Sequence, residues 1–367
     1  MLQIAIPIVS VSVGAAISLL GTWAVRRWSA SHGFVDRPGG HKGHASPVAL
    51  GGGIPLLLAV VLPMLGGAIA AWLIASDVPA WIPAGLAAHL GGVVAKTSAV
   101  IWISVAAALI CGLGLFDDAR PMGAGTKLVG QVVVAALVVV GCDLRLMSHL
   151  GWLPSAALSI LWIVTLTNSL NFLDNMDGLA AGVAAIAAAV FAVAAMMAGQ
   201  VFVPACCWLL FGALAGFLPF NIHPASIYLG DAGSLLVGML LAVFTILTTF
   251  ANPVLGQRPI GVVAPLVVMA VPLYDTASVI FLRLCTGARI WTGDQRHFSH
   301  RLLRRGMGVR QAVLVIWLAT LATALPALLL PKADWLIASV VVLQTLLIIA
   351  LVALLEKTDW NDKAGVQ

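Results

Sequence analysis

Residues 335–355 read WLIASVVVLQTLLIIALVALL: twenty-one positions with no charged side chain and one amide, Gln344. A helix rises 1.5 Å per residue, so about 20 apolar residues cross a hydrocarbon core of about 30 Å. Runs of this kind recur along the chain, at 3–25, 52–75, 97–116, 128–142, 152–171, 178–199, 201–220, 233–251, 259–282, 311–331 and 335–355. That makes eleven spans, or ten if the short fourth run and the tight turn at 200 are read conservatively. Backbone polar groups inside a bilayer must be satisfied within the segment, which selects helices for runs of this length. The expected fold is therefore all-α, a polytopic transmembrane helix bundle. Composition agrees: 61% of residues are hydrophobic, 9% are charged, and the mean hydropathy is +1.07. A soluble domain carries about 25% charged residues. The chain reads as one membrane-embedded domain over 1–367, with no soluble domain, internal repeat or low-complexity tract.

The basic residues set an expected orientation. With the N-terminus outside and the C-terminus inside, fifteen of the nineteen fall on the cytoplasmic side, and only Lys96, Arg145, Arg258 and Lys332 fall outside. That is the positive-inside bias of a bacterial inner-membrane protein. The first span is not expected to be a cleaved signal: no basic residue precedes it, whereas Arg26 and Arg27 follow it. The net charge of +5 is explained by anionic headgroups and substrates and needs no nucleic-acid partner. The five cysteines have no metal or disulfide spacing. Trp72, Trp81, Trp152, Trp291, Trp335 and Trp360 lie near span ends as interfacial anchors.

In this orientation the cytoplasmic loops fall at about 26–51, 117–127, 172–177, 221–232 and 283–310, and all the polar clusters open to one face. Of the fourteen acidic residues thirteen are Asp, and Asp117, Asp118, Asp174, Asp177, Asp231 and Asp275 stand at the cytoplasmic ends of spans. An Asp costs about 2.5–3.5 kcal/mol at the centre of a membrane helix and less near the surface, so such a concentration points to function. Carboxylates beside Asn168, Asn171 and Asn175 form an oxygen-rich set suited to Mg²⁺.

Five motifs carry the chemistry. Gly114-Leu-Phe-Asp117-Asp118-Ala-Arg120, with Lys127 and Gln131 following, places adjacent carboxylates that repel unless a cation is near. Asn168-Ser-Leu-Asn171-Phe-Leu-Asp174-Asn175-Met-Asp177-Gly178 spaces its polar residues by three and four, so a continuous helix would present them on one face. A polar helix–helix contact is the rival reading, but an ordinary lipid-facing helix does not carry four amide or carboxylate groups on one stripe. Tyr228-Leu-Gly230-Asp231-Ala-Gly233-Ser234 flanks an Asp with glycines, and a helix starting at Gly233 would aim its N–H groups at an anion. A simple N-cap is the rival reading. Asp294-Gln-Arg296-His297-Phe-Ser299-His300-Arg301 is a basic loop suited to phosphates, although an ordinary positive-inside loop would also be basic. Asp36-Arg37-Pro-Gly-Gly-His41-Lys42-Gly-His44 is Gly/Pro-rich and basic, and alone says little.

Together, in this order from Asp36 to Arg301, the five motifs resemble the polyprenyl-phosphate N-acetylhexosamine-1-phosphate transferases, bacterial membrane enzymes that begin lipid-linked glycans such as O-antigen, teichoic acid and peptidoglycan. Asp275, preceded by Pro272, also stands where that family has an Asp. The sequence departs from the pattern at three places: His41 for the usual Arg, Asn175 for a common Gly, and Ser299 for one imidazole of the His loop. The loop is more like the UDP-GlcNAc branch than the muramoyl-pentapeptide branch.

The resemblance implies transfer of N-acetylhexosamine-1-phosphate, GlcNAc-1-phosphate first among the candidates, from a UDP-sugar to undecaprenyl phosphate. UMP would leave at the cytoplasmic face of the inner membrane, in the initiating step of a cell-envelope glycan. A homodimer is also suggested by the family. Mg²⁺, with Mn²⁺ as an alternative, would be held by Asp231 and Asn171. Asp117 and Asp118 would lie near the metal and the lipid phosphate, and Asp174 and Asp177 on the nucleotide side. His297 and His300 would join these as catalytic groups, with Lys42, His44, Lys127, Asn168, Asn175, Arg296 and Arg301 binding substrate. Two rivals are weighed. A Mg²⁺-dependent intramembrane prenyltransferase leaves the Asp231 turn and the His loop unexplained. A transporter would place its site near the midplane, often with inverted repeats.

Overall fold

The computed structural model describes residues 2–36, 47–80, 82, 84–251, 256–287 and 297–356. Lys42, His44 and Arg296 lie outside these residues. Among the described residues ten helices are long and apolar enough to cross a membrane, and a bent pair of helices makes an eleventh if it is one span. The ten are α1 (Leu2–Ser31), α2 (Gly53–Ile74), α4 (Thr97–Ala119), α5 (Ala124–Gly141), α6 (Trp152–Leu173), α7 (Leu179–Met197), α8 (Phe202–Asn221), α9 (Gly230–Leu247), α13 (Val309–Ala327) and α14 (Trp335–Glu356). Between them lie three shorter helices of note, α3 (Ala84–Ala95), α11 (Ala270–Cys285) and α12 (Phe298–Arg304). The all-α polytopic bundle expected from the sequence is the architecture observed.

The broken span runs from a 3₁₀ turn over Pro259–Val263 through α10 (Ala264–Val268) into α11, with a bend of 66°. Pro272 has no N–H to give the carbonyl four residues back, so the helix cannot run straight through this point. The bend aims α11 along α6 and α13, against which it packs, and buries Asp275.

Some loops are shorter than the charge pattern suggests. The first helix continues past Arg26 and Arg27 to Ser31. Their cationic heads find partners without ending it: Arg26 lies over the Phe220 ring and donates to Ser226 Oγ, and Arg27 lies 4.0 Å over Trp23. Helix α4 likewise carries Asp117 and Asp118 in its last turn, and α9 begins at Gly230, three residues before Gly233. The 12-residue α3 is an element the span reading misses; it is too short to cross a bilayer.

Helix α9 is the axis of the fold. It packs on α4 and α6, and more lightly on α2 and α7, while α8 joins α7 to α1. Its fit against α4 depends on Gly114, where a Cβ would collide with the backbone of Asp231 and Ala232. At the same end a two-residue ribbon pairs Val35–Asp36 with Val48–Ala49. Tyr228 N–H donates to the Ala49 carbonyl at 2.9 Å and Gly52 N–H to the Tyr228 carbonyl at 3.2 Å, which ties the start of α2 to the start of α9.

Candidate active site

The end of α4, the start of α5, the end of α6 and the start of α9 meet at one point. Lys127, on the first turn of α5, donates to Asp117 Oδ2 at 2.9 Å and to Asp231 Oδ2 at 2.6 Å. Its Nζ also reaches Asn171 Oδ1, on α6, at 3.4 Å. Asn171 Nδ2 donates to Asp231 Oδ1 and, at 2.9 Å, to Ser234 Oγ. Asp117 and Asp231, on different helices, thus share one ammonium, which reaches Asp231 across 104 residues of sequence. Asp117 is fixed further by the Met122 N–H at 2.5 Å.

Asp118 faces a different task. Its Oδ1 accepts the Asp231 N–H at 2.8 Å and its Oδ2 the Ala232 N–H at 3.1 Å. It therefore caps α9 from another helix, supplying the anion that a helix N-terminus attracts. The sequence anticipates an anion at this terminus, and the one present is the protein's own carboxylate. Gly230 permits this: φ is +67°, and a Cβ there would stand 2.7 Å from Asp118 Oδ2.

The stripe from Asn168 to Asp177 is not one helical face. Helix α6 stops at Leu173, where Asn175 Nδ2 donates to the freed Phe172 carbonyl at 2.8 Å. Gly178, at φ +76°, turns the chain into α7. Only Asn168 and Asn171 remain on the helix. Asn168 pairs with the buried amide of Gln131, donating to Gln131 Oε1 at 2.5 Å, which joins α6 to α5. Asp174 lies in the turn beside the cluster. Burial, then the Asp231, Asp118 and Asp177 carboxylates, hold its carboxyl well above the usual range, opposed by the N–H of Gly230. Asp177 turns away to the loop before α9, accepting from His223 Nδ1 at 2.7 Å and from Ala225 N–H at 3.0 Å. Tyr228 belongs to this side: burial and the nearby Asp177, Asp36 and Asp174 push its phenol up to about 12.

The histidine motif occupies the other flank. Asp275, 1% exposed, accepts from His297 Nδ1 at 2.9 Å and from the Phe298 N–H at 2.9 Å, so it anchors the start of α12. The His297 ring meets the edge of Phe172, the neighbour of Asn171, and the Arg283 guanidinium lies 5.9 Å from the same Phe172 ring. His300 and the buried Arg301 follow on α12. Ser299 Oγ donates to Asn175 Oδ1 at 2.5 Å. Two of the three departures from the family pattern are therefore partners of each other, and their hydrogen bond ties the acidic turn to the histidine helix.

The fit to a divalent cation can be tested on this chemistry. Asp117 and Asp231 contact Lys127, the only ammonium among the described residues that does so, while Asp118 accepts from the Asp231 N–H and Asp174 lies beside these carboxylates. Even with the Asp174 carboxyl held towards its neutral form, three carboxylates against one ammonium leave an excess of negative charge, which favours a bound cation. No group of three His, Cys, Asp or Glu side chains at metal-holding distance occurs among the described residues. Mg²⁺ is commonly held by only one or two carboxylates, with water and substrate phosphate oxygens completing its shell. The donors present fit that pattern.

Sequence reasoning misses His223 and Ser234 as partners of the cluster, and it gives Asp275 no partner. His223 lies in the loop after α8 and Ser234 is buried near the start of α9, and proximity to Asp177 and Asn171 across 46 and 63 residues leaves no local spacing signal.

Residues 100–249, which hold the α4, α5, α6 and α9 parts of this cluster, match the family described as glycosyl transferase family 4. A decaprenyl-phosphate N-acetylglucosaminephosphotransferase of Mycobacterium tuberculosis (strain H37Rv) is 33% identical over 331 residues, covering 83% of this chain and 77% of that protein. The chain belongs to the polyprenyl-phosphate N-acetylhexosamine-1-phosphate transferases. It is a phospho-sugar transferase, which sets aside the prenyltransferase and transporter readings. This transferase is also 29% identical over 339 residues to a probable undecaprenyl-phosphate N-acetylglucosaminyl 1-phosphate transferase of Bacillus subtilis (strain 168), covering 90% of this chain and 86% of that protein. To an undecaprenyl-phosphate alpha-N-acetylglucosaminyl 1-phosphate transferase of Escherichia coli O157:H7 it is 25% identical over 310 residues, covering 80% and 75%.

Proposed function

We propose that the protein transfers N-acetylglucosamine-1-phosphate from UDP-GlcNAc to undecaprenyl phosphate and releases UMP. The reaction takes place at the cytoplasmic face of a bacterial inner membrane and begins a cell-envelope glycan. The observation that carries the reading is Lys127 set between Asp117 and Asp231, at the helix ends where the matched segment folds together. The names of the similar proteins support N-acetylglucosamine and a polyprenyl phosphate. The positive-inside bias supports the orientation, with the N-terminus outside.

The lipid phosphate attacks the β-phosphorus of the donor and the bond to UMP breaks. A phosphate monoester is mostly dianionic near neutral pH, because its second pKa is about 6. The nucleophile therefore needs alignment and charge shielding more than deprotonation, and Asp117 is not required as a base. Lys127 is placed to neutralise anionic oxygens while orienting Asp117 and Asp231. Asp118 fixes α9 and with it Asp231. Asp231 and Asn171 would hold Mg²⁺, which when bound screens the pyrophosphate and stabilises the leaving UMP. His297, His300 and Arg301 stand on the flank where phosphate oxygens would be received.

The test is an exchange assay on the full chain in membranes, with undecaprenyl phosphate, Mg²⁺ and radiolabelled UDP-GlcNAc. The expected result is lipid-extractable label that forms only with divalent cation, is lost with EDTA, reverses on adding UMP, and is absent from Asp231→Asn. Label from a different UDP-N-acetyl sugar alone would correct the donor. No transfer from any UDP-sugar by folded protein would remove the reading.

A further inference from the structure

Asp275 has no place in the acidic cluster, yet it is among the most buried charged side chains described, 1% exposed on a helix turned inward by the 66° bend. Both of its oxygens are engaged on the histidine flank, Oδ2 with His297 Nδ1 at 2.9 Å and Oδ1 with the Phe298 N–H at 2.9 Å. An ionised carboxylate only accepts hydrogen bonds. Paired with such a carboxylate, Nδ1 of His297 is assigned the hydrogen, since which ring nitrogen is protonated is set by the bond the other nitrogen makes. His297 is itself 7% exposed, with Phe172 at its edge, so the ring is clamped on two sides.

We propose that Asp275 is a positioning residue for the transfer reaction: it fixes hydrogen on His297 Nδ1 and so reserves Nε2 as the one imidazole nitrogen that exchanges hydrogen bonds with the donor substrate. The inference rests on the transferase reading for its consequence in turnover, but the tautomer itself can be measured without any substrate. A carboxylate that orients a site imidazole is second in line to the reacting atoms, and removal of such partners lowers activity or affinity about 10- to 100-fold.

Asp275→Asn separates orientation from architecture. The amide oxygen can still accept the Phe298 N–H, which preserves the start of α12, while the amide nitrogen now donates and can only pair with an Nδ1 that has lost its hydrogen. The experiment uses the full chain in detergent micelles with ¹⁵N-labelled histidine, the His297 signal being assigned by its disappearance in His297→Asn. At a pH where the ring is neutral, the expected result is hydrogen on Nδ1 in the parent and on Nε2 in Asp275→Asn, with an unchanged melting temperature. In the exchange assay Asp275→Asn should lose about 10- to 100-fold in kcat, and the same change should cost nothing further in a His297→Asn background. The same tautomer in parent and variant, or a loss that multiplies in the double variant, would overturn the proposal. If no UDP-sugar were used by the parent, the transferase reading would fall while the spectra still decided the tautomer. Should Asp275→Asn melt early, His297→Gln supplies the second arm. A ring removed without loss of turnover would equally overturn the proposal.

Discussion

Helices α7 and α14 are nearly indistinguishable to a hydropathy scale and occupy opposite surroundings. Their apolar windows average 2.4 and 2.8, yet 72% of the first is buried in the bundle against 22% of the second. Helix α9, at 1.9, is less hydrophobic than either and is 78% buried. The difference is in side-chain size. Leu179–Met197 is LAAGVAAIAAAVFAVAAMM, and α14 is Leu-, Ile- and Val-rich. In lipid there is no hydrophobic gain from hiding a leucine, so small residues that admit a neighbouring backbone decide which helix goes to the centre. Large apolar residues such as Trp335, Leu336, Leu343 and Leu347 stay on the outer surface of α14.

Substitutions at the centre and the periphery should therefore differ in kind. The largest effect is expected for Lys127→Met, which strips the shared ammonium from Asp117 and Asp231. Turnover should fall by about 10²–10³-fold or more in the lipid-label assay, and near-parental rates would show that the cluster does not carry the reaction. Next is Gly114→Ala, which drives a methyl into the backbone of Asp231 and Ala232. It should destabilise by about 1–3 kcal/mol in detergent unfolding and lower turnover as well. Asp118→Ala should come third, at about 1–2 kcal/mol for the lost helix cap, with Asp118→Asn milder because one oxygen remains to accept. If both variants melted like the parent, the capping role would be wrong. The smallest effect is expected for Leu347→Ala on α14, within about 0.5 kcal/mol and without change in turnover. A large loss there would mean that the outer face of α14 is covered by protein and not by lipid.

The spans were legible because apolar length alone specifies a transmembrane helix. The breaks were not: the bend within the ninth span arises at Pro272, inside a run long enough to read as one continuous helix. For the site, residue types and topology collected the polar clusters on one face, and the family resemblance grouped Asp117, Asn171 and Asp231 around one point; each of these, like Lys127, stands at a helix end. What spacing could not give was the division of labour. Asp117 and Asp118 are adjacent in sequence, yet one contacts Lys127 and the other closes α9. A period of three and four also promised a continuous stripe to Asp177, but the helix ends at Leu173 because Asn175 and Gly178 favour a turn. Asn175 and Ser299 read as two separate oddities in sequence and as one hydrogen bond in space.

The bond from the Asp231 N–H to Asp118 spans 113 residues, and it has a meaning in time. A chain emerging from the ribosome at about 5–20 residues per second inserts α4 many seconds before α9 exists. Through that interval Asp117 and Asp118 are at the membrane surface, but neither the helix that one caps nor the carboxylate that the other joins through Lys127 has been made. A half-made chain thus has no assembled centre, and a truncated one ending before Gly230 should be chemically silent, however well its first helices are inserted.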